Sequence, residues 1–267
     1  MLVFVGKLFG HAMRANLCLD IVLAPLVWKL IIDDDVMLDD LITVDYFNYN
    51  RIKFLRSKKF ERDHYIDETF TSRSYSGKEV DLIPGGSKIS LVEDVDKYCN
   101  LLEQFKLYEM KSVCTAIRRG IDTVIPPAAT SIMSWHQLEE KVCGAPTIDC
   151  KLLKSCTVYR NFSVTDKLIV WFWEIFEKDF TDDERRAFIR FAWGRSRIPS
   201  KGGFEFKITK MVHRNADSYL PESHTCFFTV DFPEYSTKEV LHKKLLYACH
   251  NCTAIDGDGG GTGTYED

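Results

Sequence analysis

The sequence predicts an α+β protein in two parts, a mainly helical first part holding a small hairpin subdomain and a compact α/β second part. Three observations carry this. Apolar residues recur at helical spacing over 3–17, 44–56 and 94–119. Gly144-Ala145-Pro146-Thr147 sets a flexible residue beside a stiff one just after a helical stretch, the best breakpoint in the chain. Beyond it, Phe204 to Thr209 alternates as a half-buried strand, and a second strand runs on from Phe227 after a proline-led turn.

The first part, 1–143, opens on a helix in which Gly6 and Gly10 permit close packing. Pro25 suits the first turn of the next helix. Asp33-Asp34-Asp35 follows it. Carboxylates oppose a helix C-terminus, so a solvated turn is a better reading of them than a metal site. Glu79 to Ile83 and Lys88 to Val92 flank Pro84-Gly85-Gly86-Ser87, which reads as a hairpin. That glycine pair lacks the spacing and lysine-hydroxyl ending of a phosphate loop. The long helix over 94–119 is expected to stop at Gly120. Ser134 and Gln137 make a capping box for a short helix to Cys143.

In the second part, 148–256, the run from Leu168 to Phe176 is apolar nearly all round and predicts a central buried helix. Thr181 to Glu184 is a capping box whose helix ends at Gly194. Ser236 to Glu239 caps a last helix to about Cys249. The glycine-rich tail, 257–267, is expected to be disordered.

Composition narrows the function. The chain of 267 residues is 45% hydrophobic with a formal charge of -4, which argues for a globular protein and lacks the basic footprint of a nucleic-acid binder. No uncharged run reaches membrane-spanning length, so no membrane span is expected. Nine cysteines at irregular spacing, with no secretory signal, predict reduced thiols in a cytoplasmic protein. Cys249-His-Asn-Cys252 is a lone C-x-x-C without a second ligand pair, so thiols near a helix end are a better reading of it than a metal site.

Cys226 lies where a turn becomes a strand, a place that presents a thiol. If the chain is extended there, His224 and Cys226 face the same side. His224 then either lowers the thiol pKa or hydrogen-bonds the backbone, and holding the backbone is the preferred role.

Around it, Leu220-Pro-x-Ser-His-Thr-Cys226-Phe resembles the active-site motif of the HECT ubiquitin ligases. The resemblance covers nearly the whole chain in family order. Phe4-Val-Gly-Lys-Leu-Phe-Gly10, Leu23-Ala-Pro-Leu-Val-Trp28, Pro84 to Ser87, Cys143-Gly144, Trp171-Phe-Trp173 and Gly194-Arg-Ser-Arg-Ile-Pro199 precede the cysteine motif. Several of these, with Asn251-Cys-x-x-Ile255-Asp256, are most similar to the large HERC-type members.

The resemblance implies a bilobal transferase. Cys226 would carry ubiquitin as a thioester, with His224, Thr225 and Asp256 as catalytic neighbours, although Asp256 also reads as a solvated acid of the tail. Gly144, Ala145, Pro146 and Thr147 would form the hinge. The ubiquitin-conjugating enzyme would dock on a subdomain at about 44–110, through positions matched by Ile52, Tyr98 and Leu102, although all three read equally well as core residues of their own helices. Ubiquitin, that enzyme and a protein substrate are the implied partners, and the transfer implies no metal and no organic cofactor. The family's larger lobe begins upstream of Met1, so its opening elements are expected to be missing. Two other readings stay open: a non-catalytic module that binds ubiquitin or the conjugating enzyme, and a cysteine hydrolase pairing Cys226 with His213 or His242.

Overall fold

The computed structural model describes residues 1–59, 65 and 67–251. The fold is α+β, and the chain forms two compact units: Met1–Ala15 with Ile21–Val142, and Asn16–Asp20 with the chain from Cys143 onward.

In the first unit, α1 (Leu2–Ala15) is followed by α2 (Pro25–Ile32) and α3 (Tyr46–Arg56). Asp33 ends α2 in the left-handed conformation, φ 63, and ion-pairs with Lys111, so the aspartate run begins as a helix cap. Asp45 caps α3 by accepting the Asn48 N–H at 3.0 Å.

The hairpin expectation is corrected. Strand β1 (Thr71–Arg73) pairs antiparallel with β2 (Glu79–Asp81), so the turn lies at residues 74–78, where Gly77 takes φ 81. The Gly85-Gly86 stretch instead folds onto Phe70, whose N–H donates to the Gly86 carbonyl at 3.1 Å. A Cβ on Gly86 would sit 2.4 Å from the Phe70 oxygen.

The long helix is corrected as well. It is two helices, α4 (Val95–Tyr108) and α5 (Lys111–Asp122), broken at Met110 (φ -90, ψ 3). Gly120 lies inside α5, where it meets Gly6 of α1. A Cβ on Gly6 would be 1.9 Å from the Ile117 oxygen and one on Gly120 2.2 Å from the Val3 oxygen. The two glycines therefore let two backbones touch, and neither is a stop signal. Short α6 (Pro127–Thr130) and α7 (Trp135–Cys143) follow. Ser134 and Gln137 bond each other's backbone at the start of α7, as a capping box requires.

The second unit runs α8 (Cys150–Ser155), β3 (Thr157–Arg160), α9 (Lys167–Glu174), α10 (Asp182–Trp193), β4 (Phe206–Met211), β5 (Glu222–His224), β6 (Thr229–Pro233) and α11 (Lys238–Asn251). Its sheet has the order β3-β4-β6-β5, parallel except for the edge strand β5. Phe172 of α9 is fully buried, with the rings of Trp173, Phe188 and Phe232 4.9–5.4 Å away. Thr181 and Glu184 cap α10, and Gly194 ends it at φ 72. Thr237, rather than Ser236, caps α11, its hydroxyl accepting the Val240 N–H at 3.3 Å, while the Ser236 hydroxyl donates to Asp217.

The segment Asn16–Asp20, expected in the first lobe, packs in this second unit. Asn16 Nδ2 donates to the Gly202 carbonyl at 3.1 Å, and Asp20 accepts from Ser196 Oγ at 2.5 Å and Arg190 Nη2 at 3.2 Å.

Candidate functional site

The register pairs His224 with Thr229, so residues 225–228 are the loop of the β5–β6 hairpin. Thr225 to Phe227 form one 3-10 turn, and Phe228 closes it in the left-handed conformation (φ 47, ψ 54). The Phe228 N–H donates to the Thr225 carbonyl at 3.4 Å. Cys226 therefore sits at the tip of a hairpin and is exposed.

Burial separates this thiol from the rest. Among the described residues it is the only cysteine classed as exposed. Burial pushes the Cys18 and Cys114 thiols up to about 11, and raises those of Cys99 and Cys150. Desolvation favours the neutral thiol, so these groups are poor nucleophiles.

The alternation expected for His224 and Cys226 is corrected, because the chain leaves the strand at His224 and turns. His224 Nε2 lies 3.2 Å from Asp231 Oδ2, across the hairpin. The imidazole thus ties β5 to β6 through a carboxylate, where a backbone partner was expected. Thr225 contributes its carbonyl to the turn. Asp256 lies outside the described residues, as do Cys252 and the glycine-rich tail.

The hydrolase candidates have other neighbours. The His213 ring stacks on Tyr219 at 3.8 Å, and His242 lies 5.7 Å from the Phe180 ring.

Ile52, Tyr98 and Leu102 are 0%, 3% and 1% exposed, which agrees with the reading of all three as core residues. Ile52 lies on α3 and the other two on α4, where the Tyr98 ring meets Phe70 edge-on with centroids 5.6 Å apart. An open groove of about 650 Å³ in this unit is lined by Phe47, Arg51, Glu68, Tyr98 and Lys106 among others; of the three, Tyr98 alone borders it.

In the breakpoint segment, Gly144 takes φ 89, and a Cβ there would lie 2.7 Å from Cys18 Sγ. Ala145 donates its N–H to the Ile198 carbonyl at 3.0 Å, and the Pro146 carbonyl accepts from Arg186 at 3.0 Å. Thr147 is exposed.

Sequence reasoning missed Asp231, Trp193 and Phe228. Only Asp231 left a trace, a lone acid between Val230 and Phe232. No group of three or more His, Cys, Asp or Glu is placed to hold a metal among the described residues, and none of the helices described is long and apolar enough to cross a membrane.

Among the described residues, the one exposed thiol thus lies at a hairpin tip of the mixed sheet in the second unit. The family model described as HECT-domain (ubiquitin-transferase) matches residues 1–256, and the chain belongs to that family. It is similar to E3 ubiquitin-protein ligase HERC2 of Homo sapiens, 36% identical over 262 residues, which is 96% of this chain and 5% of that protein. E3 ubiquitin-protein ligase UPL2 of Arabidopsis thaliana is 29% identical over 92% of this chain and 7% of its own length. E3 ubiquitin-protein ligase pub3 of Schizosaccharomyces pombe is 29% identical over 96% of this chain and 34% of its own length. The chain thus spans a small part of the relatives it matches.

Proposed function

We propose that this chain is the transferase part of a ubiquitin-protein ligase, with Cys226 as the acceptor of ubiquitin. The observation that carries the reading is the exposed thiol at the hairpin tip, within a chain that matches the HECT family along 1–256.

In the first step the Cys226 thiolate attacks the thioester carbonyl of ubiquitin on a conjugating enzyme. A new C–S bond forms, the old one breaks, and the conjugating enzyme leaves with its thiol. In the second step a substrate lysine amine attacks the Cys226 thioester, a C–N bond forms, and the sulfur departs. Exchange between two thioesters is nearly isoenergetic, so it calls for positioning more than for strong acid–base help. An exposed hairpin tip serves this, because two large proteins must reach the sulfur in turn. Reduced thiols, on which the chemistry depends, suit the cytoplasm.

The first unit is the proposed dock for the conjugating enzyme, with Ile52, Tyr98 and Leu102 supporting that surface from beneath. Gly144 to Thr147 is the proposed hinge, and Asp256 the proposed group that orients the incoming amine. Ubiquitin, the conjugating enzyme and a protein substrate are the proposed partners.

The test is to mix the chain with a conjugating enzyme charged with labelled ubiquitin, then add an amine acceptor. The label should move onto the chain as an adduct that thiol reductant removes, and then onto the amine. Binding without label transfer would point to a docking module instead.

A further inference from the structure

Two consecutive phenylalanines follow Cys226 and behave oppositely. Phe227 is 70% exposed, whereas Phe228 is 2% exposed. Phe228 also holds the left-handed conformation that closes the loop, φ 47 and ψ 54. Glycine or asparagine is the usual occupant of such a position, and a bulky side chain there is uncommon. A ring kept there must be held by its surroundings.

The surroundings are aromatic. The Phe228 ring lies face to face with Trp193 of α10, centroids 4.3 Å apart and planes 3° from parallel. Phe206 of β4 is 4.7 Å from it and Phe204 5.9 Å. The indole also carries the Arg195 guanidinium, 4.5 Å from its centre. Meanwhile the Phe228 carbonyl accepts the Lys207 N–H at 2.9 Å, and its own N–H crosses the loop to Thr225. Ring and both backbone groups are thus fixed, two residues from the sulfur.

Resting on the transferase reading above, we propose that Trp193 and Phe228 are positioning residues for thioester exchange. The stacked pair sets the direction in which the loop presents Cys226. It governs transfer between two large partners, which must approach along one line, and leaves the intrinsic reactivity of the thiol unchanged.

The experiment uses the full chain and two rates measured on each variant. One is single-turnover transfer of labelled ubiquitin from a charged conjugating enzyme. The other is alkylation of Cys226 by iodoacetamide, followed by mass spectrometry of its peptide, since a small reagent can approach from many directions. Phe228→Gly accepts the left-handed backbone but lacks the ring, and Trp193→Ala removes its partner. Both should slow transfer about tenfold or more while alkylation stays within about twofold of the unaltered chain. Phe228→Tyr and Trp193→Phe keep the stack and should retain transfer, and they serve as the folded reference if an alanine or glycine variant melts early.

Unchanged transfer in folded Phe228→Gly would overturn the proposal, and so would alkylation falling in step with transfer. If the unaltered chain forms no adduct, the transferase reading itself fails and takes this inference with it. An adduct on the unaltered chain with unaltered rates in the variants defeats the stack alone.

Discussion

His224 Nε2 and Asp231 Oδ2 lie 3.2 Å apart, joining the short edge strand β5 to its neighbour β6 just before the loop that carries Cys226. The histidine is 50% exposed at its side chain, so the contact is worth about 1 kcal/mol at most. If it serves to hold the hairpin, His224→Ala and Asp231→Ala should each lower the melting temperature, by no more than about 4 °C. The double variant should cost little more than either single one, because both remove the same contact. A large loss of thioester formation in His224→Ala, with melting unchanged, would instead make the imidazole a catalytic base.

The contact of α1 with α5 makes a sharper stability claim. Alanine is a better helix former than glycine by about 1 kcal/mol, so propensity alone favours Gly120→Ala. A Cβ at Gly120 would nevertheless lie 2.2 Å from the Val3 oxygen and 2.7 Å from the Gly6 Cα. Backbone cannot yield as a side chain can, and the helices must part. A net loss of about 1–3 kcal/mol is expected in chemical denaturation. Equal or greater stability would mean that the glycines do not set the approach.

Ile52 offers a separation of core from contact. Its side chain is fully buried, so Ile52→Ala should cost about 2–5 kcal/mol through the cavity it leaves. Weaker docking of a conjugating enzyme should appear only alongside that loss. Weaker docking with unchanged stability would restore Ile52 as a contact residue.

Asp20 supplies a pH dependence. Partial burial pushes its carboxyl pKa up, but hydrogen bonds from Ser196 and the nearby Arg190 charge outweigh this and hold it below the ordinary value. A depressed folded-state pKa gives stability that is present above the unfolded carboxyl value, about 3.9, and lost as pH falls through the folded value. Asp20→Asn should therefore be less stable than the unaltered chain in urea at neutral pH. The gap should narrow as pH falls below about 4 and close once pH is below the folded value, where Asp20 is protonated in the folded and the unfolded chain alike. A gap that persists in acid would assign the contact to shape rather than charge.

Much of this was legible in the sequence for local reasons. Thr181 with Glu184 and Ser134 with Gln137 are capping boxes whose residues act within one turn, and each opens a helix where expected. The strand at Phe206 announced itself by alternation. Features set by distant partners were not legible. β1 is three residues of polar sequence, stabilised by pairing with β2, and no apolar pattern marks it. The break at Met110 lies in a continuous helical pattern with no proline or glycine. Gly120 read as a stop because its partner Gly6 is 114 positions away. At the hairpin tip, the motif identified Cys226, but the stack of Phe228 on Trp193 joins residues far apart in the chain and breaks the local rule that a left-handed position prefers glycine.

The most direct test of Cys226 as the acceptor replaces its sulfur with oxygen. Charged conjugating enzyme should leave on Cys226→Ser an adduct that resists thiol reductant and is released by alkali, the signature of an oxygen ester. Cys226→Ala should carry none. A reductant-sensitive ubiquitin adduct that persists on Cys226→Ala would place the thioester on another cysteine and contradict the account.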